Sequence, residues 1–383
     1  MSAFFAGARF EIQALMRVPS TVLILAGAAV FYCWIYPAPY SQQIYRDMPV
    51  YALDRDDSPL SRMLLARIDA TEELAIIDGS GNRYAAIAAL KRGEVLGYIE
   101  IDEGFQREVT RGQSPAVGLF ANAGYLLAYS QLTGSASSAI LSTGQEIGVG
   151  LAAEISGGTH SARISQIPFS LAKKELYDPA GGYASFVVPA VAMIILQQTM
   201  LIGLGLLCDA RRKIACSLPR GFFGRAAWTL GRASPWVVLY LLQFLIIRWL
   251  IFPDYHLPSL GHFTQLLLFM GLFFLTIAIF GLLVAEVFAS SEDVIPFLLF
   301  SSLPIVFLSG FSWPLEDIPL PLQWLSGLLP STAAVEGFVR LNQLGSGLPG
   351  AAWPMAHLAL LALLYAVPLY FVTLKRYAHR TSA

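Results

Sequence analysis

Six apolar runs punctuate the chain, at residues 20–36, 183–207, 233–252, 263–285, 294–311 and 353–374. A bilayer's hydrocarbon core, about 30 Å thick, takes about 20 helical residues to cross (working range about 17–25), so each run predicts a membrane-spanning helix. The first is short, but Tyr32, Trp34 and Tyr36 cluster at its end, as amphipathic rings do where one side must meet water. Ahead of it, residues 1–19 predict a surface helix: Phe4, Ala8, Ile12 and Leu15 follow helical spacing, and Arg9, Gln13 and Arg17 lie away from them. Phe10 and Glu11 interrupt that pattern. The segment 313–344 is amphipathic and carries Pro314, Pro319, Pro321 and Pro330, without the unbroken apolar length of a span. It predicts two short helices dipping from the outer face, their backbone groups shielded from lipid by neighbouring spans.

Residues 39–180 read differently. PVYAL at 49–53 alternates as a strand does, and DDSPLSR offers Ser58 as N-cap with Pro59 at the first helical position of a helix running toward Asp69. LAIID, a helix through RYAAIAALKRG, VLGYIEI, a helix over 102–111 and PAVGLFA continue the alternation. A longer helix follows from about 124 to 155, and RISQIPFSL (163–171) predicts a returning strand. That is an α/β pattern, and the 142-residue stretch is long enough for one domain. Its DRDDS cluster fits a cation site less well than a solvated turn at a helix N-terminus.

Composition supports a membrane protein. Of 383 residues 56% are hydrophobic and 13% charged, and the mean hydropathy is +0.59; disorder and a nucleic-acid-binding surface are both excluded as readings of such a chain. Cys33, Cys208 and Cys216 are an odd number and none lies in 39–180, so no disulfide framework is implied. The net charge of −1 hides an asymmetry. Arg9 and Arg17, then Arg211, Arg212, Lys213, Arg220, Arg225 and Arg232, then Lys375, Arg376 and Arg380 put eleven basic residues on one side, against Arg340 alone in the short segments of the other. The positive-inside rule therefore predicts both termini in the cytoplasm, with 39–180 outside. Ala38 would suit a signal-peptide cleavage site, but cleavage would break the even span count.

Several stretches, in order, resemble one family. RFEIQALMRVPSTVLILAGAAVFYCWIYPAPY is similar to its surface helix and first span, PVYALDRDDSPLSRMLLARIDA and VLGYIEIDEGFQREVTRG to its external domain, and ELYDPAGGYASFVVPAV to its entry into span two. FLSGFSWPLEDIPLPLQWLSGLLPSTAAVEGFVRL is similar to its external helices after span five. On these the chain resembles a permease subunit of the type-2 ATP-binding-cassette (ABC-2) exporter family, in the subgroup with a large external domain between spans one and two. The expected fold is an α-helical polytopic membrane protein: cytoplasmic amphipathic helix 1–19, span 20–36, extracytoplasmic α/β domain 39–180, span 183–207, cytoplasmic coupling loop 208–232, spans 233–252, 263–285 and 294–311, external re-entrant helices 313–344, span 353–374 and tail 375–383. The resemblance implies a bacterial inner-membrane location, cytoplasmic ABC ATPase subunits, a second permease subunit identical or related to this one, and a periplasmic adaptor protein as a candidate partner. Family members often carry a glutamate and a Gly-Thr pair in the loop after span two; here the acidic position falls to Asp209, and the Gly-Thr pair is absent.

No G-x-x-x-x-G-K-[ST] phosphate loop occurs, so no cofactor is expected on this chain and ATP with Mg is expected on the partner. The candidate coupling residues are Asp209, Arg211, Arg212, Lys213, Arg220, Phe222, Phe223 and Arg225, with membrane anchoring as the alternative role of Arg211, Arg212 and Lys213. Gln197 and Gln198 are candidates for the translocation pathway, since polar groups inside spans are costly. Trp313, Pro314 and Pro330 are candidates for an external gate. Arg248 is placed to snorkel, and Glu286 at the inner edge of span four is interfacial or paired with an arginine of the 208–232 loop. The expected activity is export of an amphipathic or hydrophobic substrate. A sensor whose external domain binds a ligand is the alternative; a membrane-embedded enzyme is less favoured, because His256 and His262 have no partner ligands at metal spacing.

Overall fold

The computed structural model describes residues 2–40, 45–78, 82–123, 126–156, 183–288 and 290–378. The segment 163–171, read as a returning strand, lies outside them. The chain divides into two units, Met1–Ser41 with Leu176–Ala383, and Gln42–Glu175.

The first unit opens with α1 (Ser2–Met16) and α2 (Pro19–Ile35), whose Pro19 occupies the first turn, where no N–H partner is needed. The unit Gln42–Glu175 follows: β1 (Met48–Asp54), α3 (Pro59–Asp69), β2 (Leu74–Asp78), α4 (Arg83–Arg92), β3 (Gly97–Ile101), α5 (Phe105–Thr110), β4 (Val117–Ala121) and α6 (Leu126–Ser156). Its sheet has the order β2-β1-β3-β4, with β1 parallel to both neighbours and β4 antiparallel to β3. Met48, Val50, Leu74, Ile99 and Ile101 bury one face against Leu64 and Ile68 of α3, Phe105 of α5 and Leu132 of α6. Leu53 and Tyr98 pack against Ala86 of α4 on the other. Ser58 and Ser61 form a reciprocal capping box that starts α3. The helix expected over 102–111 is confined to α5, because Gly104 at φ +88° sits in the left-handed region and delays its start.

The first unit resumes with α7 (Tyr183–Leu206), α8 (Cys208–Arg212) and α9 (Phe222–Ile246), which continues through a π-helical turn, Ile247–Ile251, to Asp254. Then come α10 (Phe263–Val287), α11 (Ser291–Leu308), α12 (Leu320–Gly327), α13 (Pro330–Phe338), prolonged by a second π-helical turn, Val339–Gln343, and α14 (Ala352–Ala378). Five helical stretches among the described residues are long and apolar enough to cross a membrane: Ala184–Arg212, Phe222–Asp254, Phe263–Val287, Ser291–Leu308 and Ala352–Tyr377. At 17 residues α2 is at the short limit. α10 is the hub, with Phe269, Phe273, Phe274, Ile277 and Leu282 all fully buried.

Two boundaries differ from those expected. The 208–232 loop holds α8 and the first three turns of α9, which starts at Phe222 rather than 233 because Trp228, Gly231 and Arg232 form a buried face continuous with Trp236 and Tyr240. Lys375 and Arg376, expected in a tail, lie in the last turn of α14. The 313–344 segment holds α12 and α13, tied to the end of α11 by the Ser326 hydroxyl, which donates to the Leu308 carbonyl at 2.7 Å.

Candidate functional site

α8, the start of α9 and the ends of α10 and α14 meet α1 around one buried group of charges. The Glu11 carboxylate of α1 is fully buried and accepts from Arg211 of α8, through Nε at 2.9 Å and through Nη2. It also accepts from the Trp236 indole N–H at 2.9 Å and from Arg232 Nε at 3.4 Å, both of α9. Arg232 Nη2 reaches Glu286 of α10 at 2.8 Å, and Glu286 also accepts from Arg376 of α14 at 2.8 Å. Arg211 further donates to the Leu204 carbonyl at 2.7 Å. The Arg232 guanidinium lies over the Trp228 ring at 4.8 Å and the Phe10 ring at 5.4 Å. Three arginines and two glutamates leave one net positive charge in a water-poor interior. Such a group is tolerable only with nearly every donor and acceptor paired. Burial alone would raise the Glu11 carboxyl, but the guanidiniums of Arg211 and Arg232, with hydrogen bonds from Arg211 and Trp236, outweigh it and hold Glu11 below the usual carboxylate range.

The buried face of α1 is rotated from the one expected, although Arg9, Gln13 and Arg17 are exposed as expected and Phe4, Ala8 and Leu15 are partly buried. Its inward face is Gly7, Phe10, Glu11 and Ala14, while Ile12 is half exposed. Glu11 thus specifies the face it was read as spoiling, because Arg211 and Arg232 are its counter-ions. Two glycines set the approach of α1 to α9. A Cβ at Gly7 would lie 2.1 Å from the Trp228 carbonyl oxygen, and one at Gly231 would lie 2.0 Å from that of Phe4, so only glycine fits on either helix at this crossing.

The candidate coupling residues part company. Arg211 is 3% exposed and belongs to the interior, so it offers nothing to an outside partner. Asp209 accepts from the Ser291 N–H at 3.1 Å, at the start of α11, and Arg212 donates to the Phe288 carbonyl at 3.1 Å. Arg225 donates to the Tyr370 hydroxyl at 3.0 Å. Lys213 and Arg220 are exposed, as are Phe222 (63%) and Phe223 (86%). Glu286 takes the paired alternative. Sequence reasoning missed Glu11 as the acceptor of Arg211 and Arg232, and Arg376 as the second partner of Glu286; the available signal was a lone carboxylate in an apolar helix, which demands a counter-charge when buried.

Gln197 and Gln198 are both buried in α7. Gln197 has neither amide atom hydrogen-bonded, and Gln198 Nε2 donates to the Leu298 carbonyl at 3.5 Å while its Oε1 has no partner. Trp313 and Pro314 are exposed, whereas Pro330 is buried in the first turn of α13. Arg248 lies in the π-helical turn of the α9 stretch, over the Trp249 ring at 5.6 Å. At this far end of the bundle Asn342 holds the 258–261 loop: its Nδ2 donates to the Pro258 carbonyl at 3.2 Å, and its carbonyl accepts from Leu260 N–H at 2.7 Å. The Tyr255 hydroxyl, donating to the Trp34 carbonyl at 2.7 Å, joins the end of α2 to the same region. Among the described residues no group of His, Cys, Asp and Glu is arranged to hold a metal ion.

Stacked apolar helices around a buried charge cluster, with no constellation of catalytic groups described, define a polytopic helical membrane protein whose polar machinery joins helix ends. The profile of the "ABC-2 family transporter protein" family matches residues 19–373, and the chain belongs to that family. It is also similar to the linearmycin resistance permease protein LnrN of Bacillus subtilis (strain 168), with 20% identity over 357 residues that cover 86% of this chain and 89% of the relative. The chain is accordingly a multi-pass transporter permease of the ABC-2 family, and the family associates with ABC ATPase partners.

Proposed function

We propose that the protein is the permease subunit of an ABC exporter, moving an amphipathic or hydrophobic substrate out of the cytoplasm or the inner membrane with ATP hydrolysed, with Mg, on a separate chain. The observation that carries this reading is the charge cluster that bonds α1 to α8 and α9 and, through Arg232 and Glu286, links them to the ends of α10 and α14, since a surface helix held in that way can pass an ATPase movement into the bundle. In this reading α2 is the first of six spans, both termini are cytoplasmic, and residues 39–180 lie outside. The gathering of α1, α8 and the C-terminal end of α14 at one end of the bundle supports that parity. The helical stretch Phe222–Asp254 has 33 residues, about 50 Å at 1.5 Å per residue, so its first turns project beyond a hydrocarbon core of about 30 Å. They carry Phe222 and Phe223, which with Arg220 and Lys213 form the ATPase contact. Gln197 and Gln198 border the translocation pathway, and Trp313, Pro314 and Pro330 belong to the outer gate. A second permease subunit completes the pathway and a periplasmic adaptor receives the cargo. A relative named for resistance supports the direction of transport.

The test is Phe222→Ala with Phe223→Ala in a reconstituted complex. Both rings are exposed, so fold stability should change by no more than about 1 kcal/mol, while ATPase association weakens and ATP hydrolysis uncouples from export. Unchanged association and transport would remove this surface from the coupling mechanism.

A further inference from the structure

The unit Gln42–Glu175 contains a crevice whose position follows from its topology. β1 passes the chain through α3 to β2 on one side, and β3 passes it through α5 to β4 on the other, although β1 and β3 are parallel neighbours. Their C-terminal ends therefore diverge at a topological switch point, where open α/β sheets bind ligands. An open cleft of about 650 Å³ lies at that point, within the size range of small-molecule sites. Its walls come from the residues just after β1, including Arg55 and Ser58, and from those just after β3, including Glu103, Gln106, Arg107 and Arg111.

The charges in the cleft are not equivalent. Arg55 is already engaged, donating to Glu100 at 2.6 Å and to Asp102 at 3.2 Å. Asp56 closes the start of α5, accepting from the Gly104 N–H at 2.7 Å and the Gln106 N–H at 3.0 Å, so those amides are not open to a ligand. Arg107 and Arg111 have no acceptor among the described residues, and they are one helical turn apart. The Arg107 guanidinium folds back over Gly104, its Nη2 2.7 Å from where a Cβ would stand. Two unpaired forks one turn apart match the oxygens of a carboxylate or phosphate group.

We propose that this cleft binds a small anionic ligand, carrying a phosphate or carboxylate group, held by Arg107 and Arg111. The site is independent of the export reading.

The test is calorimetric titration of inorganic phosphate, and separately of succinate, into the purified full-length protein in phosphatidylcholine nanodiscs. Saturable binding of at least one anion is expected, weakened about tenfold or more by Arg107→Gln with Arg111→Gln. Arg92→Gln, which removes an exposed arginine paired with Glu94 elsewhere in the unit, should leave affinity unchanged. Both cleft arginines are exposed, and an unchanged circular dichroism spectrum would verify folding of the double variant. Discs containing phosphatidic acid distinguish the source: lost phosphate binding there identifies a lipid headgroup as occupant, and retained binding a free anion. No saturable binding of either anion, or affinity undiminished in the double variant, would overturn the proposal.

Discussion

Replacing Glu11 by Gln should release α1 from the bundle. The substitution keeps the volume but removes the charge that faces Arg211 and Arg232, raising the cluster's net charge from one to two. Glu286 remains for Arg232, and the Leu204 carbonyl for Arg211, at 2.8 and 2.7 Å. Removing one partner of a buried ion pair costs about 3–5 kcal/mol, because the remaining charge stays buried. At about 1.4 kcal/mol per tenfold, the population with α1 undocked should rise by about two to three and a half orders of magnitude. Ala14 is fully buried on the docked face, so thiol labelling of Ala14→Cys, with the three native cysteines removed, reports that population when opening is fast. Adding Arg211→Gln should restore part of the loss, with a coupling energy above about 1 kcal/mol. Glu11 is held below the usual carboxylate range when folded, so its contribution is complete above the unfolded carboxyl value and disappears as pH falls through the lower folded one. Labelling, divided at each pH by that of an exposed control cysteine to remove the change in thiolate fraction, should therefore be flat from pH 8 to about 5 and rise only in stronger acid. A rise of less than about tenfold in Glu11→Gln would refute the claim that this carboxylate holds α1.

Gly231→Val should displace α1 by steric overlap with the Phe4 carbonyl, 2.0 Å from the new Cβ; it is expected to cost more than about 3 kcal/mol and to raise Ala14→Cys labelling, whereas normal labelling would mean that the crossing can widen. Topology is checked in intact cells with impermeant thiol reagents: Lys91→Cys should react from outside and Ser217→Cys only after permeabilisation, and the opposite pattern would invert the protein in the membrane.

Much of the secondary structure was legible because its causes are local. An apolar run of about 20 residues, a Ser-Pro helix start at 58–59 and the strand at 49–53 depend on residues close in sequence, and helices and strands stand at those places. The start of α9 was not, because polar residues between 222 and 232 resemble a loop until Trp228, Gly231 and Arg232 are seen as a face buried by α1. The coupling set was legible by residue type alone. Basic residues near span ends read alike, yet Arg211 is buried on Glu11 while Arg220 stays exposed. Sequence determined that buried charges would need partners, but not which: Glu11 and Arg211 are 200 residues apart, and packing of separate helices brings them together. Tertiary structure alone decided the inward face of α1, since hydrophobic spacing ranks apolar side chains whereas a carboxylate turns toward whichever counter-charges the fold delivers.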